Sequence, residues 1–486
     1  MGLIGILLGL ALLMALAFRG WSVLLLAPLS ALVAALFAGE PLLAHWTQTF
    51  MGGASGFIGQ FFPLFLLGGI FGKLMDDSGS VTAIAHGLTE RLGAKRAMLA
   101  VVLAGAAVTY GGVSLFVAFF VLAPMGHAMF RTANIPHRLL PAAIMLGASS
   151  FTMSALPGTP AIQNAIPMPF FGTSPWAAPG LGVIAALIMA GLGLWWLSFR
   201  EGQARRAGEG YGSAPDGQIA ADTAAGNPAI REQAVISAEF DPAEARHGQH
   251  GGSEPSLIVA SVPIVVVLLV NLIMTVVVLP NMSTAFLSEP RWGETSVGAV
   301  AGVWSVAVAL AAACLTVVAL NWRRLPSLRA TLDAGANSVV LPVLGVGSLV
   351  GFGAVVAALP AFAAVRDQVL GLGGGPLVSL SVATNVLAAL TGSASGGLTI
   401  ALETLGETYL QIASEQGIDP GLMHRVAVIG AGTLDALPHN GAVVTLLAVC
   451  GTDHRRSYLD VFVTSVIVAM IALVAVIILG SLFGSF

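Results

Sequence analysis

The chain has 486 residues, of which 56% are hydrophobic and only 9% are charged, and its mean hydropathy is +0.90. Soluble globular proteins carry about 25% charged residues, so this composition excludes a soluble protein. The apolar residues form long continuous runs rather than the short alternating segments of a transmembrane barrel, which predicts an all-α polytopic membrane protein. The net charge is −4 and no basic patch occurs, which argues against nucleic-acid binding.

We predict about ten spanning helices from the apolar runs along the chain. The runs cover residues 3–18, 21–38, 56–75, 139–167, 177–199, 257–280, 297–320, 338–360, 425–450 and 459–483. The first run lacks the preceding positive residues of a cleaved signal peptide, so we expect it to be retained. Two further apolar segments, 97–126 and 377–405, are interrupted by polar, glycine-rich tips, and we predict that both are re-entrant hairpins. The hydrophilic residues 200–256 predict a flexible linker.

The two halves of the sequence resemble each other. A shift of 281 residues places residues 110–114 on residues 391–395, and other short matches occur at nearly the same shift. We therefore predict two membrane repeats, residues 1–199 and 257–486, each with five spans and one hairpin. An odd number of spans inverts the second repeat relative to the first, as in many secondary transporters.

The basic residues give the predicted orientation. With both hairpins re-entrant, all 20 basic residues except Arg291, Arg366 and Arg425 fall on one face, which the positive-inside rule makes cytoplasmic. We expect the protein to lie in the inner membrane of a bacterium. Both termini are then external, and residues 200–256 are cytoplasmic. Arg138 and Arg425, each preceded by histidine, begin the two broken helices, and we expect them to be interfacial anchors rather than substrate clamps. No lysine or arginine is then expected within a span.

Two of the spans, 139–167 and 425–450, are interrupted by proline in polar, glycine-containing segments. Backbone that leaves a helix at membrane depth is tolerated only inside protein or beside an aqueous cavity, so these breaks and the two hairpin tips predict a binding site. The alternative is that the prolines only kink helices for packing. The residues expected to bind substrate are Tyr110, Gly111, Gly112, Ser114, Thr159, Gln163, Asn164, Ser393, Ser395, His439 and Asn440.

Asp435 and His439 are the ionisable side chains that fall within the membrane-depth breaks. Such groups are costly inside a membrane and often functional, so we expect one of them to carry a coupling proton, with His439 slightly favoured. The alternative for Asp435 is a structural role as the cap of the second half-helix, and that for His439 is a role as a hydrogen-bonded packing residue. Because no cation is expected within a span, hydroxyl groups, amides and helix N-termini would hold a bound anion.

The sequence contains no phosphate-binding loop, no metal-ligand cluster and no nucleophile motif, which argues against ATP drive, a cofactor or an enzyme. It therefore predicts a secondary transporter of a small organic anion, with a proton as the coupling ion. An anion channel is the alternative class, and sodium is the alternative coupling ion, because the site offers oxygen ligands for a hard cation. Those oxygens belong to Ser114, Thr159, Ser393, Ser395 and Asn440.

Four segments of the sequence resemble the gluconate permease family of the ion transporter superfamily. They are Phe62-Pro-Leu-Phe-Leu-Leu-Gly-Gly-Ile-Phe-Gly-Lys-Leu-Met75, Tyr110-Gly-Gly-Val-Ser114, Ala155-Leu-Pro-Gly-Thr-Pro160 and Ala436-Leu-Pro-His-Asn440. The resemblance implies proton symport of hydroxycarboxylates of the gluconate, hydroxybutyrate or citrate type. Gluconate transporters carry a Pro-Pro-His-type motif at the first break, so this chain is more similar to the hydroxybutyrate- and citrate-type members. The resemblance also implies a homodimer in which a transport domain slides past a scaffold.

Overall fold

The computed structural model describes residues 2–17, 19, 21–212, 241, 251–371 and 373–486. Every regular element in these residues is a helix, so the prediction of an all-α membrane protein is confirmed. Within the described ranges, six helices are long and apolar enough to cross a membrane, namely Leu42–Asp77, Pro179–Arg206, Leu257–Asn281, Val297–Asn321, Leu328–Ala358 and His454–Phe483. The total of about ten spans stays a prediction.

The chain begins with two 16-residue apolar helices, Gly2–Ala17 and Val23–Ala38, which pack against each other. Their contact depends on glycine. A Cβ atom added at Gly9 would lie 2.6 Å from the carbonyl oxygen of Ser30, and one added at Gly5 would lie 2.6 Å from Phe37. Small residues at such crossings let helix backbones approach closely, which is a common basis of helix association in membranes.

We call the long helix Leu42–Asp77 the central helix because several other helices pack against it. Its part Met51–Asp77 packs against three helices, Val297–Asn321, Leu328–Asn337 and Val340–Ala358. The sequence placed Lys73 among the basic residues of one membrane face, whereas the structure buries its side chain completely, with Nζ 2.9 Å from Asp77. Thr331 donates a hydrogen bond to the same carboxylate at 2.6 Å, and this hydrogen bond joins the central helix to Leu328–Asn337.

From residue 80 onward the same order of helices occurs twice: a short amphipathic helix, two hairpin arms, two halves of a broken helix, and a long helix. In the first half these are Ser80–Leu92, Ala97–Tyr110, Leu115–Ala133, residues 140–154, residues 162–171 and Pro179–Arg206. In the second half they are Phe362–Leu370, Pro376–Thr391, Ala394–Gln416, Pro420–Thr433, Gly441–Val449 and His454–Phe483. The spacing agrees with the shift in the sequence. The inversion of one repeat relative to the other stays a prediction.

Two features differ from the sequence-based expectations. The amphipathic helices Ser80–Leu92 and Phe362–Leu370 were not predicted, because they are shorter than a span. Helix Pro179–Arg206 extends into the predicted linker, since residues 200–206 include good helix formers and an Arg205–Glu201 ion pair one turn apart. The predicted linker residues 213–240 and 242–250 lie outside the described residues.

The two hairpins have closely packed arms. The first hairpin consists of Ala97–Tyr110 and Leu115–Ala133, and the second of Pro376–Thr391 and Ala394–Gln416. In the second, a Cβ atom added at Gly397 would lie 2.2 Å from the backbone nitrogen of Ala388, so the arms require glycine there. The leading arms have 14 and 16 residues. A helix of that length measures about 21–24 Å, less than a hydrocarbon core of about 30 Å, whereas the second arms have 19 and 23 residues. The re-entrant course of both hairpins stays a prediction.

Candidate functional site

The first break, residues 155–161, separates the two halves of the first broken helix and is held against the segment that follows it. The backbone N–H of Gly158 donates to the carbonyl oxygen of Pro175 at 2.8 Å, and the Tyr110 hydroxyl donates to that of Pro157 at 2.7 Å. Gly158 has φ +79°, and an added Cβ atom would lie 2.5 Å from the indole of Trp176. Both observations require glycine at this position.

Asn164 holds the first break through all four of its hydrogen-bonding positions. Its Nδ2 donates to the carbonyl oxygens of Thr159 and Pro175, both at 3.0 Å. Its Oδ1 lies 3.2 Å from Nε2 of His424 and accepts from Nη1 of Arg425 at 3.3 Å. A carboxamide has two donor hydrogens and two acceptor lone pairs, so this side chain is fully used within the protein.

Arg425 lies inside the protein, which corrects the expectation of an interfacial anchor and of no cation within a span. It belongs to helix Pro420–Thr433, and its side chain is fully buried beside the first break. Nη2 and Nε donate to the carbonyl oxygen of Ala177 at 2.7 and 3.2 Å, and Nη1 reaches that of Ser154 at 3.5 Å. Hydropathy placed this residue at a helix start, but tertiary packing decides its burial.

A cavity of about 80 Å³ lies between the central helix, the first hairpin tip and the first break. Its wall includes Gly68 of the central helix, Gly112 and Ser114 of the tip, and Met153 and Gln163 of the broken helix. It therefore contains three of the predicted substrate-binding residues. The tip that forms it is also the start of the 19-residue helix Leu115–Ala133.

The other predicted residues of the first half lie around the cavity rather than in its wall. A Cβ atom at Gly111 would lie 2.8 Å from Ile264, so this glycine fits the tip against a neighbouring helix. Gly112, which does line the cavity, has φ +93°, and an added Cβ atom would lie 2.6 Å from Pro160. The Thr159 hydroxyl is buried and accepts from the backbone N–H of Ala161 at 3.3 Å.

The second break, residues 434–440, is organised by Asn440 and Asp435. Asn440 Nδ2 donates to the carbonyl oxygen of Gly392 at 2.8 Å and to Asp435 Oδ1 at 2.7 Å. Its Oδ1 accepts from the backbone N–H of Ala442 at 2.7 Å, so Asn440, and not Asp435, caps the helix Gly441–Val449. The Asp435 carboxylate also accepts from the backbone N–H of Ala394. Asp435 thus connects the break to the second hairpin tip.

His439 contacts the same hairpin at another point. Its Nε2 lies 3.0 Å from the carbonyl oxygen of Ala389, and the ring is half-buried. Residues 437–440 do not form a helical turn, because Leu437 is extended with ψ 158°. Asp435 and His439 therefore do not share a helix face, although they are four residues apart.

Ser393 and Ser395 are buried in the tip of the second hairpin. Their hydroxyl oxygens are 3.2 Å apart, and Ser393 Oγ accepts from the backbone N–H of Gly396 at 3.1 Å, which caps the second arm. Both serines are chain neighbours of Ala394, whose backbone N–H donates to Asp435. The structure brings the predicted residues of the second half together around one tip and one break.

The sequence analysis missed two contacts of the second break. Both are made by side chains at the start of helix His454–Phe483. His454 Nε2 lies 2.7 Å from the carbonyl oxygen of Pro438, and the Tyr458 hydroxyl donates to that of Ala436 at 3.1 Å. The repeat offers a signal for them, because segment 173–178 holds the first break and lies about 281 residues earlier. A repeat alignment extended by one element would have included both side chains.

The predicted single pocket, built from both halves, stays a prediction. The wall of the cavity contains residues of the first half only. Among the described residues, no group of three histidine, cysteine or acidic side chains is arranged to hold a metal ion.

Comparison with known proteins adds the family context. The model for GntP family permeases matches residues 1–172. The uncharacterized transporter YxjC of Bacillus subtilis (strain 168) is 42% identical over 484 residues, 98% of each chain. The high-affinity gluconate transporter of Escherichia coli (strain K12) is 34% identical over 142 residues, which are 28% of this chain and 30% of that protein.

Solved structures show the same fold at low sequence identity. MtrF of Neisseria gonorrhoeae, described as illuminating a class of antimetabolite efflux pumps, aligns with a TM-score of 0.54 at 13% identity. The alignment covers 90% of this chain and 85% of that one. At this identity the likeness concerns the fold alone.

Proposed function

Because the chain belongs to the GntP permease family and is a multi-pass membrane transporter rather than an enzyme, we propose that it imports a small organic anion by secondary active transport. The substrate class is supported by the relative named as a gluconate transporter, since gluconate is a hydroxycarboxylate. The first break departs from the gluconate-type motif, so we place hydroxybutyrate- and citrate-type substrates beside gluconate as candidates.

The observation that carries this proposal is the position of the cavity at the start of helix Leu115–Ala133. The first N–H groups of a helix have no partner within it, and the helix dipole places partial positive charge there. Ser114 and Gln163 add a hydroxyl and a carboxamide to the wall, which contains no acidic side chain. This combination favours a small anion over a cation or a neutral apolar ligand.

Uptake of an anion into a negative-inside cell requires about 2.3 kcal/mol per charge per 100 mV, which a co-transported proton offsets for a monocarboxylate. The second break holds the candidates for the carrier, Asp435 and His439. Asp435 accepts hydrogen bonds from Asn440 and Ala394, so its protonation would weaken the contact between break and hairpin tip. His439 in its charged form would instead pair with the anion directly.

Sodium remains the competing coupling ion, and the structure gives one reason to rank it second. Among its proposed oxygen ligands, Asn440 Oδ1 already accepts from the backbone N–H groups of Ala442 and Val443. A bound cation would have to displace these capping bonds.

We further propose an elevator mechanism in a homodimer of inverted repeats in the bacterial inner membrane, with both termini external. In this arrangement the hairpins, broken helices and last helices of each repeat would move together. The central helix and its three packed neighbours would form the scaffold. The packing of each hairpin against the following broken helix supports this division.

The test is transport by the purified protein in proteoliposomes, with gluconate, hydroxybutyrate and citrate supplied in turn. We expect an acidic exterior to drive accumulation of at least one anion without sodium. Accumulation driven only by a sodium gradient would make sodium the coupling ion. Rapid downhill flux without accumulation under either gradient would identify a channel, and no movement of any of the three anions would contradict the proposed substrate class.

A further inference from the structure

Arg425 is the largest fully buried side chain in the described part of the chain, and its contacts are unusual for a buried cation. Each acceptor recorded for it is an uncharged oxygen: the carbonyls of Ala177 and Ser154 and the carboxamide of Asn164. Buried charges are normally paired with an opposite charge, because desolvation is costly. Arg425 therefore adds a positive charge to the protein interior at the first break.

The corresponding arginine of the first half has a different environment. Arg138 also follows a histidine at the start of a broken helix, but it contacts two carboxylates, Glu209 at 2.7 Å and Asp460 at 3.0 Å. The hydrogen bond from Arg138 lowers the pKa of Glu209, so this pair is charged at neutral pH. The charge of Arg138 is thus neutralised locally, whereas that of Arg425 is not.

Side chains next to Arg425 do not offset its charge. His424 is 2.7 Å from the Thr173 hydroxyl through Nδ1 and 3.2 Å from Asn164 Oδ1 through Nε2. A neutral ring with its hydrogen on Nε2 satisfies both contacts. Tyr110 donates its hydroxyl hydrogen to Pro157 and so keeps it. Among the described residues, Arg425 and the side chains in contact with it therefore sum to one positive charge.

Along the chain, the contact partners of Arg425 lie next to residues in the wall of the cavity. Arg425 contacts Ser154 and Asn164, and the chain neighbours of these residues, Met153 and Gln163, line the cavity. Ser154 is also the last residue of its half-helix, where the carbonyl dipoles favour a cation. We propose that Arg425 is a positioning residue for anion binding: it holds both ends of the first break and provides, from behind the break, the positive charge that attracts an anion into the cavity.

This inference rests on the proposed function for its physiological meaning, but its electrostatic content is testable without a substrate. The reporter is a cysteine at Met153, in a protein whose Cys314 and Cys450 are replaced by alanine. A thiol reacts as its thiolate, which a nearby positive charge favours. The measurement is the pH dependence of alkylation by iodoacetamide, a neutral reagent whose own approach does not depend on the charge.

We expect Arg425→Gln to move the alkylation midpoint to higher pH by about one unit, which is the effect of a unit charge over roughly 10 Å at an effective dielectric of about 20. Arg425→Lys keeps the positive charge, so its alkylation midpoint should stay close to that of the protein with the native arginine. Arg138→Gln, which removes an arginine already paired with carboxylates, is the matched control and should leave it unchanged. An unchanged midpoint in Arg425→Gln would overturn the proposal, as would an equal shift in Arg425→Lys.

A second measurement avoids any change at Arg425. With the native arginine present, the midpoint at Met153→Cys should lie below the ordinary thiol value of about 8.5, although burial alone would raise it. A midpoint above that value would also overturn the proposal. If the reporter behaves as expected and none of the three anions is transported, only the proposed function fails. If an anion is transported and the reporter does not respond to Arg425, only this inference fails.

Discussion

The two breaks share a backbone plan and differ in the side chains that hold them. In the first, Gly158 lies under Trp176, and Asn164 and Arg425 hold the two ends. In the second, the position equivalent to Gly158 is His439, and Asp435 connects the break to the hairpin tip. Across physiological pH arginine stays charged and asparagine and tryptophan stay uncharged, whereas a histidine and a half-buried carboxylate can change their charge. From this comparison we propose that the first break has fixed contacts and that those of the second change with protonation.

The largest effect that separates the breaks is expected from their asparagines. Asn164→Ala removes four hydrogen bonds and leaves Nη1 of the buried Arg425 with only its 3.5 Å contact to Ser154, which we expect to cost about 3 kcal/mol of unfolding free energy. Asn440→Ala removes a helix cap and two further bonds from a buried side chain, but its partners include no buried cation, and it should cost about 1–2 kcal/mol. Denaturation with sodium dodecyl sulfate in mixed micelles measures both. A larger loss in Asn440→Ala than in Asn164→Ala would reverse the comparison.

A smaller effect should separate the glycines of the first half. Gly158→Ala combines a positive φ with a Cβ atom 2.5 Å from the Trp176 indole, and should cost about 2 kcal/mol. Gly172→Ala is the matched control, because Gly172 has φ +63° with nothing within 4 Å of its Cβ position, and only the backbone cost of about 1 kcal/mol applies. Equal losses of unfolding free energy in the two variants would mean that Trp176 does not restrict the side chain at position 158.

The sequence was sufficient for the helical class, the hairpin tips and the positions of the breaks, because proline, glycine and hydropathy act locally. It was insufficient for what the side chains contact. Asn164 and Asn440 were predicted to bind substrate from their residue type, but both use their carboxamides to hold the breaks. Arg425 was assigned to an interface because hydropathy locates a helix start and not its neighbours. Which helices surround that start depends on tertiary packing.

The dependence of transport on the second break is the central claim, and one measurement tests it most directly. It is the accumulation driven by a pH gradient, divided by substrate exchange without a gradient, for Asp435→Asn and His439→Gln in proteoliposomes. Tyr110→Phe, which removes the hydroxyl bond to Pro157 in the first break, is the control.

We predict that at least one of the two second-break variants loses accumulation and keeps part of its exchange, because the proton carrier is removed while the anion site remains. Tyr110→Phe should keep the wild-type ratio. If Asp435→Asn and His439→Gln both accumulate the anion on a pH gradient alone, neither residue is the carrier, and the distinction between a fixed and a protonation-dependent break is wrong.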